Sequence, residues 1–307
     1  MKYPSSVTVV EVGPRDGFQS IKPWIETADK IETCRRLLEA GIPLMECTSF
    51  ISPKAIPQMK DAEEVVTALL AIPGAADRLL ALVGNKKGAD RAHAAGVKKV
   101  AMVISASAEH NKNNVNKTPD QSLEELSATI AAYPDLHIKL DLATAFGCPF
   151  QGEVSMEEIT YVLDGAVVAG IRDICLCDTI GVGMPDQVGR IFRALQERYG
   201  GRGVQWSVHL HNTRGMAMAN TIAAMEAGVD RFETAVAGLG GCPFAPGASG
   251  NLSTEDVVWA LNEMGYDTGI SFSKLLAAAK AQVQAIPGTY SGHHINVEKE
   301  TPCKPER

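Results

Sequence analysis

Positive charge is in deficit: the 307-residue chain carries 29 Lys and Arg against 36 Asp and Glu, a formal net charge of −7. Binding phosphates without sequence preference needs a basic face, so the balance argues against a nucleic-acid partner. Long apolar runs are missing too; nothing approaches the ~20 residues of a membrane-spanning helix. Met1-Lys2-Tyr3-Pro4 leads almost directly into the apolar run 7–12, without a signal-peptide pattern or an Arg-rich leader. A soluble, cytoplasmic protein without a membrane partner is expected. The seven cysteines (Cys34, Cys47, Cys148, Cys175, Cys177, Cys242, Cys303) lack clustered spacing and are odd in number. That argues against a disulfide scaffold or a structural zinc module, and most should be small, reduced, buried side chains. With 45% hydrophobic and 21% charged residues the chain is ordinary globular rather than disordered.

What is present is a repeated alternation. Short β-branched runs at 7–12, 44–50, 79–83, 99–104, 137–143, 173–177, 204–211 and 231–237 read as strands. Between most of them lie segments with helical spacing, among them 27–40, 62–70, 122–132, 156–169 and 217–227. Gly41, Gly96, Gly170 and Gly228 stand where helices should stop before the next strand. Eight strands alternating with helices imply parallel βαβ units closed into a (β/α)8 barrel, an α/β TIM barrel. The runner-up, an open doubly wound sheet, fits less well because no Gly-x-Gly-x-x-Gly follows the first strand. No linker or low-complexity block divides the chain. One domain over 1–307 is expected, the barrel at about 5–270 and an extra helix (273–284) and polar tail within 271–307.

In such a barrel the chemistry sits at the C-terminal ends of the strands. Strand one ends in Glu11-Val-Gly-Pro-Arg15-Asp16-Gly17, with a charged pair held by proline and glycine. Strand seven ends in His209-Leu-His211-Asn212; residues i and i+2 share a face, so both imidazoles project together, as metal ligands do. Asp16 can supply the carboxylate and Asn251 a further oxygen. Two nitrogens with oxygens and open positions suit Mg²⁺ or Mn²⁺ as a Lewis acid, with Zn²⁺ admissible. Strand eight runs into a glycine-rich stretch carrying Cys242, a poor packing residue there and a candidate acid or nucleophile. Thr254-Glu255-Asp256 reads as the acidic first turn of a helix. His93 and His137 read as structural, the pair His293 and His294 as solvated, and 110–117 as a polar loop after strand four.

Five segments taken together, EVGPRDG (11–17), ECTSFISPKAIPQM (46–59), DTIGVG (178–183), HLHNT (209–213) and VAGLGGCPFAPGASGNLSTED (236–256), resemble the 3-hydroxy-3-methylglutaryl-CoA lyases. These belong to a wider group of metal-dependent TIM-barrel lyases and synthases with an Arg-Asp motif on strand one. The resemblance runs in order from about 5 to 285. It implies divalent-metal-dependent retro-Claisen cleavage of (S)-3-hydroxy-3-methylglutaryl-CoA (HMG-CoA) to acetyl-CoA and acetoacetate, as in leucine degradation, without an organic cofactor. It implies Asp16, His209, His211 and Asn251 as metal ligands; Arg15, Cys242, Glu46, Asp178 and His209 as catalytic residues; and Arg15, Gln19, Asn114 and Thr179 against the substrate. Asp16 and His209 both qualify as the base. The 110–117 segment would border the CoA entrance, with Lys22, Lys54 and Lys86 as rim candidates and Cys303 as a loose match to a redox cysteine. An acyl-CoA substrate and a homo-oligomer, dimer or tetramer, are further implications. Asn212 stands where the family commonly has Asp, and Cys175 and Cys177 where strand six often has Ser and Gly; these departures lie near the acyl group and admit a related thioester such as citramalyl-CoA. An acetyl-CoA-dependent 2-ketoacid synthase is the rival reaction, disfavoured by the Cys242 segment. A catalytically dead binding module is disfavoured by the intact ligand set.

Overall fold

Between each strand and the next, helix returns the backbone to begin a strand parallel to the last, and the result in the computed structural model, which describes residues 3–241 and 250–297, is a closed eight-stranded barrel. The strands are β1 (Thr8–Glu11), β2 (Leu44–Ser49), β3 (Leu79–Leu82), β4 (Lys99–Ser105), β5 (His137–Ala143), β6 (Asp173–Asp178), β7 (Gln205–Leu210) and β8 (Arg231–Thr234), in that order around the barrel. Closure pairs Thr8–Glu11 with Arg231–Thr234 in parallel register. The helices are α1 (Thr27–Glu39), α2 (Ala62–Leu70), α3 (Lys86–Ala94), α4 (Ala108–Val115), α5 (Pro119–Ala132), α6 (Met156–Ala169), α7 (Pro185–Tyr199), α8 (Ala217–Glu226), α9 (Thr254–Glu263) and α10 (Phe272–Ala285). Local signals agree with the starts and stops. Ser155 with Glu158, and Thr118 with Gln121, form capping boxes, and Gly170 ends α6 at φ 110°, where a side chain would be strained.

The main core lies between the outer strand faces and the helices, with Leu37, Met45, Leu69, Leu140, Phe192 and Phe232 among its buried members. The barrel interior is divided. Leu80, Leu82 and Ala101 form an apolar patch on β3 and β4, whereas β5 to β8 turn Lys139, Asp141, Asp173 and Glu233 inward as buried charges. At the N-terminal end Asp173 accepts from His137 Nε2 at 2.9 Å and Arg231 Nη1 at 3.2 Å, closing that mouth with charge rather than bulk. No helix among the described residues is long and apolar enough to cross a membrane.

The elements depart from the sequence reading in three places. β8 ends at Thr234, not 237, because Val236–Gly238 forms a 3-10 turn with Ala237 at φ 58°. The 110–117 segment is helical: Ser107 caps α4 by accepting from the His110 amide, and Asn116 stops it in the left-handed region. His293 and His294 both close on Asp256, at 2.8 and 2.6 Å; the His293 side chain is exposed, as expected, but His294 packs against Trp259 and Phe272 instead of standing in solvent.

The turn after β8 is held by two buried acids. Glu11 Oε1 accepts from the Gly13 and Val236 amides at 2.7 and 2.9 Å, and its Oε2 from Thr254 Oγ1 at 2.7 Å. Glu255 accepts from the Ala237 amide at 2.9 Å. Burial outweighs those bonds and raises both carboxyls from 4.5 to about 7. Between those values the folded chain keeps protons that the unfolded chain has lost. The stability these two carboxyls contribute is therefore fully present below about 4.5, falls as pH rises to about 7 and is lost above. Urea unfolding should show a loss of about 1–2 kcal/mol per group between about pH 5.5 and 8. Glu11→Gln should remove one group's share of that loss, about 1–2 kcal/mol; an unaltered slope would mean Glu11 is ionised in the fold.

Candidate active site

The site begins where β1 ends. Gly13–Gly17 makes one π-helical turn, an arrangement that projects consecutive side chains instead of burying alternate ones. Arg15 and Asp16 thereby both reach the C-terminal mouth of the barrel. Arg15 is fixed from two sides: Nε donates to Glu46 Oε2 at 2.6 Å and Nη1 to Asp16 Oδ1 at 2.5 Å. Burial opposes its charge, but Glu46 and Asp16 outweigh burial and raise its pKa. Asp16 is desolvated as well, yet Arg15, then His209 and His211, hold it down to about 2.

His209 and His211 project side by side from β7 and the residue following it, ring centroids 5.1 Å apart. Asn251 arrives by backbone pairing: the Asn212 amide donates to Gly250 O at 2.7 Å, the Leu252 amide to Leu210 O at 3.1 Å, and the Ala235 amide to Leu252 O at 2.9 Å. These bonds lay 250–252 across the ends of β7 and β8. Gly250 is required there, because at φ +71° a Cβ would stand 2.5 Å from the Gly240 carbonyl carbon. Asn251 Nδ2 then donates to Asp16 Oδ2 at 2.7 Å.

These residues fit a divalent ion. One ligand atom each from Asp16, His209 and His211 lie within 4.8 Å of one another. His211 Nε2 stands 3.9 Å from Asp16 Oδ2, too far for a hydrogen bond but within the ~3–4.2 Å between donors sharing an ion at ~2.1 Å. Asn251 Oδ1 is buried without a hydrogen-bond partner, an acceptor left for a cation. Burial, then the neighbouring His209, lowers His211 to about 4, so its imidazole is neutral as ligation requires. His209 differs: burial works against its proton, but the 3.1 Å contact of Nδ1 with Glu233 Oε2 and the Asp16 charge raise its pKa.

Beside these groups opens a cavity of about 430 Å³. Arg15, Asp16, Gln19, His209 and His211 line it, with Asn114 from α4 and Thr179 after β6. Gln19 also donates to Asp16 Oδ1 at 2.8 Å, and Thr179 Oγ1 accepts from the Thr144 amide at 2.8 Å. Glu46 stands behind Arg15, outside the cavity surface. Asp178 is turned elsewhere: its two oxygens accept from the Val182 and Gly183 amides, each at 2.9 Å, and it does not line the cavity. Cys242 and Cys303 lie outside the described residues; Gly241, next to Cys242, lines the cavity.

Three charged residues escaped the sequence reading. Lys139 bonds Glu233 and lies 2.8 Å from Asp141 Oδ1, while Glu233 also backs His209. Their signal was the alternation Lys139-Leu140-Asp141 and Arg231-Phe232-Glu233, charges two apart in otherwise apolar strands, which belong on the inner face of a barrel.

Comparison with known proteins bears on the same residues. The family model described as HMGL-like matches 6–281. Hydroxymethylglutaryl-CoA lyase YngG of Bacillus subtilis is 39% identical over 282 residues, covering 91% of this chain and 93% of its own. The (R)-citramalyl-CoA lyase of Chloroflexus aurantiacus is 39% identical over 284 residues, covering 89% of each. An HMG-CoA lyase from Acinetobacter baumannii, solved with coenzyme A and 3-methylmalate, superposes with a TM-score of 0.91 at 35% identity over 100% of both chains.

Glu233 behind His209 has a measurable consequence. Glu233→Gln should weaken Mn²⁺ binding about 10-fold or more, as loss of an outer carboxylate does at histidine-ligated metals. Titration followed by the electron paramagnetic resonance of free Mn²⁺ reads this directly; an unchanged Kd would separate the Glu233–His209 contact from ion binding.

Proposed function

This chain belongs to the HMGL-like family, and on that premise we propose that it is a cytoplasmic, divalent-metal-dependent carbon–carbon lyase cleaving (S)-HMG-CoA to acetyl-CoA and acetoacetate. The observation that carries the reading is the joint placement of Arg15, Asp16, His209 and His211 on one cavity. Asp16, His209, His211 and Asn251 would hold the ion; Mg²⁺ or Mn²⁺ bound there supplies Lewis acidity that lowers the pKa of the substrate's tertiary hydroxyl.

The chain's own groups do the rest. The hydroxyl proton passes to Asp16 or His209. Asp16, held near 2, is the weaker acceptor; His209 can accept only on Nε2 and only while that nitrogen is off the ion, and Glu233 at Nδ1 would then stabilise the imidazolium. The C2–C3 bond breaks, the tertiary carbon becomes the ketone of acetoacetate, and the bonding pair moves into the thioester enolate. Arg15 is charged and already immobilised by Glu46 and Asp16, so it meets the negative enolate oxygen without reorganising. The Cys242 thiol delivers a proton to the acetyl carbon. Asn114, Gln19 and Thr179, all on the cavity wall, contact the acyl-CoA.

Citramalyl-CoA is the second reading. Cys177 and Asp141 line the cavity beside the reacting groups, and identity to the citramalyl-CoA lyase equals that to the Bacillus lyase. Assays with HMG-CoA and citramalyl-CoA side by side should give Mg²⁺-dependent acetyl-CoA release that EDTA abolishes and added Mg²⁺ restores. Arg15→Gln should lower kcat by about 10²–10³ and Cys242→Ala by about 10²–10⁴. Preference for citramalyl-CoA would move the substrate within the same mechanism. Failure of the metal-replete protein to cleave either thioester would overturn the lyase reading.

A further inference from the structure

A second set of metal-type donors stands at the wall of the same cavity, and no step of the lyase chemistry uses it. Asp141 on β5 pairs in register with Cys175 on β6, and Cys177 lies two residues further along the same strand face. One donor atom from each, a carboxylate oxygen and two sulfurs, lie within 4.8 Å of one another. Asp141 and Cys175 are 3% and 0% exposed, whereas Cys177 is partly open, and Asp141 and Cys177 both line the cavity.

The donor chemistry differs in kind from the first site. Two nitrogens and two oxygens accept hard or borderline ions, whereas two sulfurs and one oxygen favour thiophilic ions. Ligands at ~2.0–2.3 Å around a tetrahedral ion stand about 3.5 Å apart, so side-chain shifts of about 1 Å assemble three corners. The cavity leaves the fourth corner open. Each thiol releases its proton to solvent, so with Asp141 ionised one divalent cation replaces two protons and the net charge is unchanged; burial raises the Asp141 carboxyl to about 7, and below that a third proton leaves as it turns to the ion. Lys139, 2.8 Å from Asp141 Oδ1, keeps its bond to Glu233 when the carboxylate turns to the ion. Without an ion, burial raises the Cys175 thiol well above its ordinary range; at Cys177 the contact with Cys175 works the other way, but desolvation still leaves that thiol raised.

We propose that Asp141, Cys175 and Cys177 form a second divalent-ion site, selective for ions of the zinc and cadmium class, whose occupation obstructs the cavity. The obstruction clause rests on the lyase reading; the binding does not. The test is a Cd²⁺ titration of the full chain in excess Mg²⁺, following thiolate-to-cadmium absorption in the ultraviolet and bound ion by equilibrium dialysis. The expected result is a two-thiolate band that halves in Cys175→Ser and in Cys177→Ser. Affinity should fall about 100-fold in those variants and about 10-fold in Asp141→Asn. Cys34→Ser and Cys242→Ala should keep the band, and circular dichroism should show every variant folded. A band that survives both serine variants, or moves with Cys242→Ala, would overturn the site. Cd²⁺ inhibition of thioester cleavage that is relieved in Cys177→Ser supports the obstruction. A full Cd²⁺ band in a protein that cleaves neither thioester would leave the ion site standing and remove the lyase reading.

Discussion

Charge buried inside a closed barrel has nowhere to go, and the rest of this structure is arranged around that constraint. Arg15 and Lys139 lie among Asp16, Glu46, Asp141 and Glu233, all of them desolvated. Removing one partner of a buried pair costs about 3–5 kcal/mol, because the other charge is stranded. Each group therefore fixes the next: Glu46 sets the guanidinium of Arg15, Arg15 sets Asp16, Lys139 sets Glu233, and Glu233 sets the ring of His209. The network contributes little net stability over an apolar filling. What it supplies is orientation, since a guanidinium or imidazole with every alternative position unpaired has one place to be.

Backbone geometry then brings the ends of this network to the mouth. A regular strand would alternate Arg15 and Asp16 to opposite faces. The π-helical turn at Gly13–Gly17 places both at the same opening, and the Arg15 and Asp16 amides donate to Val12 O at 3.1 and 2.7 Å to hold it. On the other side Ala235, Asn212 and Leu252 stitch the 250–252 segment to β7 and β8, so that Asn251 is positioned by strand-like bonds rather than by a free loop. Buried Glu11 and Glu255 satisfy the amides that this irregular ending of β8 leaves over.

Much of this was legible in the residues. Apolar runs of strand length and the glycines closing helices located all eight strands within a few positions, because both signals are local. The His209-x-His211 spacing was legible because strand periodicity alone brings two imidazoles together, whereas the Arg15–Asp16 pair stood out only as adjacent charges held between Pro14 and Gly17. What was not legible depended on partners distant in sequence. Glu233 gains its meaning from His209 and Lys139, 24 and 94 residues away. Asp178 matched a motif, but its orientation is decided by two amides of the following loop. The early end of β8 at Thr234 is imposed by Glu11, a residue 225 positions before Val236. His294 reads as a tail histidine until α9 and α10 supply Asp256, Trp259 and Phe272. The helix at 108–115 was obscured by its asparagines, residues that favour turns unless capped as Ser107 caps this one.

The division of the barrel interior bears on why the charged half carries the reacting groups. Leu80, Leu82 and Ala101 make the β3–β4 side apolar, and Leu82 reaches the cavity there with Val83 and Val103. An anion forming against those strands would find no counter-charge from Leu80, Leu82 or Ala101. Against β1 and β5 to β8 it meets Arg15 with its charge already fixed. A substrate with a charged acid end and an uncharged thioester arm is thus sorted by desolvation alone, its polar end settling where the barrel can match it. The same partition explains how two donor sets of different softness coexist. Asp16, His209 and His211 gather at the strand ends, where oxygens and nitrogens are held by hydrogen bonds. Cys175 and Cys177 sit in the β6 wall, where a thiol is small and apolar enough to pack until an ion recruits it.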